Sequence, residues 1–216
     1  FNETWGLTTE GEGYKPETQA WVKSMYEKAK QLDPTRLVED NSPHRFDHVA
    51  TDLNTWHSYQ PGYAWPELLD RVNRDTYPGS SWNFVEGAVQ GTQPMFNSEC
   101  GNVWGYEGSA GDVDWSWDYH LMLNEFRRYP KISGWLYTEH HDVINEWNGY
   151  YRYDRSEKET GLGELVPGMT LNDLHGPIYL IPGRELCTAV EPGSQVSVPL
   201  HLSVQGLPGG PRQAIL

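Results

Sequence analysis

Apolar residues recur at helical spacing through Trp21, Val22, Met25, Ala29 and Leu32, behind a proline at position 16 whose fixed φ suits a first turn. This pattern predicts a helix over Pro16 to Leu32. Asp33-Pro34 stops it, because the residue before a proline is pushed out of the α region. Short apolar runs follow at Arg36 to Glu39, Asp52 to His57, Met95 to Ser98 and Ile132 to Tyr137, and each reads as a strand. Further helices are predicted over Pro66 to Arg74 and from a cap at Asp114 to Arg128, with Pro130 ending the second. Strands alternating with helices predict an α/β fold on a parallel sheet over residues 1–160.

The pattern changes after Glu159. Gly161 to Gly183 carries Gly, Pro and Leu without a helical period, so 161–184 is expected to be a linker. Val196, Val198, Leu200, Leu202 and Val204 then alternate within Glu185 to Val204, as a half-buried antiparallel strand does. Residues 185–216 are therefore expected to begin a β-sandwich domain.

Charge narrows the partners. The 216 residues hold 30 Asp and Glu against 16 Lys and Arg, a formal net charge of −14. Such a field repels phosphate backbones and anionic membranes, so neither nucleic acid nor membrane is expected as a partner, and a neutral substrate fits better. No apolar stretch reaches the length of a membrane span, and the opening residues do not read as a signal peptide. Cys100 and Cys187 lie far apart in sequence and are expected to be free thiols. Ten tryptophans and thirteen tyrosines, many set among Gly, Pro, Asn and His, suggest aromatic platforms around a cleft. For any single ring, core packing is the competing reading.

Two glutamates stand in matching settings. Glu3 lies in Phe1-Asn2-Glu3-Thr4-Trp5-Gly6 and Glu99 in Phe96-Asn97-Ser98-Glu99-Cys100-Gly101, each ending a short apolar run. Glycoside hydrolysis needs two carboxyl groups facing one another across the scissile bond. Period-two spacing puts His57 and Tyr59 on one strand face, and Trp135 and Tyr137 on another.

Taken in order, Asn2-Glu3, Arg36-Leu-Val-Glu-Asp40, Trp56-His57-Ser58-Tyr59, Ser98-Glu99-Cys100-Gly101 and Gly134-Trp-Leu-Tyr-Thr138, running into Asp142-Val-Ile-Asn-Glu146-Trp-Asn148-Gly149, resemble the glycoside hydrolase family 2 catalytic domain. The resemblance covers roughly residues 1–160. It implies the C-terminal half, strands four to eight, of a (β/α)8 TIM barrel. The tail resembles the start of the immunoglobulin-like sandwich that commonly follows. A chain opening on the fourth-strand motif is expected to be an internal piece of a longer protein.

The resemblance implies retaining hydrolysis, with Glu3 as acid/base and Glu99 as nucleophile about 5–5.5 Å apart. Carboxyls that close cannot both ionise easily, so Glu3 is expected to be protonated and Glu99 ionised. Asn2 matches the asparagine that bonds the sugar 2-hydroxyl, and Tyr59 a residue that holds the nucleophile. His57, Tyr137, Trp5 and Trp104 are expected to line the sugar site. No cofactor is implied. β-Galactoside is the first expected substrate, with β-mannoside and β-glucuronide behind it.

Other readings compete. The aromatics and carboxylates could bind carbohydrate without cleaving it. Glu139-His140-His141-Asp142 with Glu146 offers metal-ligand types, but the spacing matches neither a His-Glu-x-x-His helix nor a closed zinc site. That segment is better read as the loop after the last strand, supplying polar groups to the cleft rim. Cys100, beside Glu99, is expected to be a small buried thiol rather than a nucleophile.

Overall fold

The computed structural model describes residues 15–42, 46–101, 117–144, 146–185 and 189–206. The chain divides into two compact units, Phe1–Glu159 and Thr160–Leu216. Among the described residues no helix is long and apolar enough to cross a membrane.

The first unit is built on three parallel strands, β1 (Asn54–Tyr59), β2 (Met95–Gly101) and β3 (Ile132–Tyr137), in the order β1-β2-β3. Helix α1 (Pro16–Leu32) precedes them, α2 (Trp65–Asp75) links β1 to β2, and α3 (Asp118–Arg128) leads into β3. Asp114, expected to cap that helix, lies outside the described residues. Helices α2 and α3 carry the apolar layer. Trp65, Leu69 and Val72 recur on one face of α2, and Tyr119, Met122, Leu123 and Phe126 on one face of α3, all essentially without solvent exposure. Trp65 and Phe126 meet at 5.1 Å between ring centroids, and Phe126 stacks on Trp135 of β3 at 5.4 Å and 8°. Each such side chain contributes roughly 1.5–3 kcal/mol by leaving water.

Helix α1 covers the residues its periodicity marks, but only Val22 is buried. It is tied down by polar contacts. Tyr26 donates to Asp52 at 2.8 Å, and Lys30 bonds Asp52 at 2.8 Å and the Arg36 carbonyl at 2.7 Å. Beyond it, Asp33 accepts from the Thr35 backbone and hydroxyl, making a turn where the helix ends.

The (β/α)8 barrel is not what these residues form. Among the described residues the sheet has three strands and does not close, and Arg36–Glu39, expected to be a strand, is not one. Its backbone is held at Arg36, whose carbonyl accepts from Lys30, and at Val38, whose amide donates to the Asp52 side chain and whose carbonyl accepts from the Asp52 amide. The physical reason lies at the outer edge of β1. There His48 Nε2 lies 3.0 Å from the Thr55 carbonyl, which also accepts from the Asn83 side chain at 2.6 Å. Two side chains occupy the positions a further strand would need for pairing.

In the second unit, α4 (Leu162–Leu165) and α5 (Leu171–Leu174) precede an antiparallel pair, β4 (Ile178–Pro182) with β5 (Leu200–Val204). Thr170 and Asp173 form a reciprocal capping box at the start of α5. Among the described residues the alternation read over 185–204 becomes strand from Leu200. The expected sandwich is likewise replaced by this single two-stranded sheet among the described residues, with no second sheet to pack on it.

Candidate active site

Strand β2 lies between β1 and β3, and it carries Glu99 near its C-terminal end. Its register is irregular at that point. Trp56 pairs with Asn97 but His57 pairs with Glu99, so Ser98 is an extra residue. The same step is visible toward β3, where Asn97 pairs with Trp135 and Cys100 with Tyr137. A bulge of this kind bends the strand and re-aims a side chain. Here it brings both Ser98 and Glu99 to the face that Thr55, His57 and Tyr59 share.

Glu99 is held from both oxygens. The Tyr59 hydroxyl donates to Oε1, and His57 Nδ1 lies 3.4 Å from Oε2. Burial first, then the bond to and charge of Glu99, push the Tyr59 phenol far above its ordinary value, so it remains a donor. The Thr138 side chain bonds the same phenol. Cys100, next along β2, is buried and free, with its thiol directed at the Leu136 carbonyl 3.3 Å away. Burial, then the Glu99 charge, push that thiol well up, which keeps it unreactive.

Tyr137 packs into a tyrosine cluster. Its ring meets Tyr119 of α3 at 5.1 Å and Tyr150 at 4.7 Å, and the Tyr119 and Tyr150 hydroxyls bond each other at 2.6 Å. Burial pushes the phenols of Tyr119, Tyr137 and Tyr150 upward. Trp135 packs against α3, stacked on Phe126 and with the Arg127 guanidinium 5.3 Å from its ring. Glu3, Asn2, Trp5 and Trp104 lie outside the described residues.

The chain after β3 turns back on itself around a buried ion pair. Lys158 bonds Asp142 at 2.7 Å, both side chains being nearly fully buried, and also donates to the Trp147 carbonyl. Asp142 in turn accepts from the Gly149 amide at 2.9 Å. A Cβ at Gly149 would lie 2.3 Å from the Asp142 amide nitrogen, so only glycine permits this closure. The loop presents Glu139, whose carboxyl is pushed up to about 7 by burial, then by the charges of Glu146 and Asp142, a bond to Glu146, and the charge of Glu99. A proton-holding carboxyl thus lies within electrostatic reach of Glu99.

Sequence reasoning assigned Glu139 only to the cleft rim and overlooked Glu39, Thr55 and Ser98. Glu39 Oε1 accepts from Thr55 at 2.5 Å and from Ser98 at 2.8 Å. One signal was available, since Thr55 stands two residues before His57 and so shares its face. Chemically, the face offers a carboxylate held by a phenol and an imidazole, with a second carboxyl nearby that exchanges its proton near neutrality. No protein-family model matches the chain, and no curated protein matches it.

Proposed function

We propose that this chain carries the nucleophilic side of a retaining glycosidase, as its resemblance to glycoside hydrolase family 2 implies. The observation that carries the reading is the hold on Glu99, whose two oxygens face Tyr59 and His57 at the end of a central strand. A nucleophilic carboxylate needs this: donors that fix its direction while leaving it able to attack. In the first step a Glu99 oxygen bonds the anomeric carbon as the glycosidic C–O bond breaks, and Glu3 protonates the departing oxygen. In the second, Glu3 takes a proton from water, which attacks the anomeric carbon and releases Glu99. Asn2, Trp5 and Trp104 complete the sugar site in this reading, while the Tyr137 ring is taken up by Tyr119 and Tyr150. The substrate is a neutral β-glycoside, a β-galactoside before a β-mannoside, because the net charge of −14 disfavours a uronic acid.

The test is covalent trapping. 2-Deoxy-2-fluoro glycosides with good leaving groups, offered as a panel to the natural protein and followed by peptide mapping, are expected to leave one sugar per chain on Glu99. No adduct with any member, from a folded protein that still binds sugars, would favour carbohydrate binding without cleavage.

A further inference from the structure

Glu39 takes no part in the chemistry above, yet its hydrogen bonds end at the residue beside Glu99. Its Oε1 receives both the Thr55 and the Ser98 hydroxyls. Thr55 is buried, and its Oγ1 lies 3.2 Å from His48 Nε2. His48 Nδ1 is 2.7 Å from Asp40 Oδ1, and Asp40 Oδ2 accepts from the amides of Val49 at 2.7 Å and Ala50 at 2.9 Å. Asp40, His48, Thr55, Glu39 and Ser98 therefore form one continuous chain of bonds, anchored in backbone at one end and reaching the β2 bulge at the other.

The bulge explains why such an anchor matters. Successive residues of a strand point to opposite faces, and only the extra residue lets Ser98 and Glu99 lie on one side. A hydroxyl bonded to a carboxylate is roughly twice as strong as a neutral pair, and its geometry is tighter. Ser98 is thus held on the Glu99 face by a charged acceptor that is itself fixed from a second strand. The segment carrying Glu39 is braced as well, through Val38 on Asp52 at 2.9 Å.

We propose that Glu39 is a positioning residue for Glu99, locking the β2 bulge through Ser98 so that the Glu99 carboxylate faces Tyr59, His57 and the anomeric carbon. The inference rests on the glycosidase reading. Its test uses the fluoro glycoside that labels the natural protein, and compares that protein with Glu39→Ala, Glu39→Gln, Ser98→Ala and Ser98→Thr. Glu39→Ala and Ser98→Ala are expected to slow labelling at saturation by about 10–100-fold, the scale of a misplaced reacting group, with the half-saturating concentration changed less than about threefold. Ser98→Thr, which keeps the hydroxyl, and Glu39→Gln, which keeps an acceptor oxygen, are expected to recover most of the rate.

Labelling of both alanine variants at the natural rate would overturn the positioning role while leaving the glycosidase reading intact. So would a threonine variant as slow as the alanine one, or a loss of rate that merely follows a fall in melting temperature. Failure of the natural protein to label at all would remove both. Should Ser98→Ala not fold, the Glu39 pair decides the question, since that side chain lies on a loop outside the strand.

Discussion

Glu99 is served by two unlike donors, and they separate in experiment. The Tyr59 phenol is half-buried and keeps its proton, so Tyr59→Phe removes its hydrogen bonds to Glu99 and to the Thr138 side chain while leaving the ring in place. A bond to a charged group is worth about 1.5–3 kcal/mol, so the labelling rate at Glu99 is expected to fall roughly 10–100-fold with little change in melting temperature. Glu139 provides a second handle. In the folded protein its carboxyl holds its proton to about pH 7, against an ordinary value of 4.5, so the folded state binds the extra proton between those limits. Stability from this group is complete below about pH 4.5 and is lost as pH rises through 7. Thermal melts over that range should show Glu139→Gln gaining on the natural protein as pH rises, then levelling. A gain in the opposite direction would rule out the raised value.

The element that departs most from expectation is the outer edge of β1. Asn83 reaches it from a residue with a left-handed backbone (φ 68°), and Asn83→Ala should cost about 0.5–1.5 kcal/mol by removing one donor to the Thr55 carbonyl while His48 remains, read from denaturant midpoints. Asp40 and His48 are a buried pair, 2.7 Å apart. Burial opposes the charge on each, but their mutual bond and attraction outweigh it, with amide donors helping Asp40 and with Thr55 and Glu39 helping His48. Asp40 is therefore depressed below 3.8 and His48 raised above 6.5. Their contribution is full between those values, fades as pH falls through the Asp40 value, and fades as pH rises through the His48 value. Asp40→Asn should cost about 3–5 kcal/mol inside the window and flatten the profile on both sides. This edge also marks the limit of what could be read beforehand. Proline and an apolar period marked α1, the apolar run at Ile132 to Tyr137 marked β3, and the period of two put His57 and Tyr59 on one face. Leu37 and Val38 look like strand to any local reading, because what replaces a neighbouring strand is a histidine and an asparagine from distant loops. The extra residue at Ser98 was equally hidden, since a bulge is a property of pairing and leaves no mark in the order of apolar positions.

At the scale of the whole molecule the excess of acid dominates. A chain at −14 attracts a neutral glycoside no more strongly at low salt than at high, whereas an anionic one is repelled until the field is screened. The KM of a neutral substrate should therefore hold steady as salt is raised, and binding of a uronic acid analogue should improve. The tyrosines of the first unit point to a different vulnerability. Tyr59, Tyr119, Tyr137 and Tyr150 all ionise above their ordinary value, with burial the leading cause in each. Once unfolded, each would surrender its proton near pH 10, so above that point each withdraws about 1.4 kcal/mol of stability per pH unit. Acting together, these phenols make alkali an unusually sharp denaturant for this unit. Tyrosinate absorbance should rise in a single narrow step at the moment the layer opens, well separated from the gradual ionisation of the exposed rings.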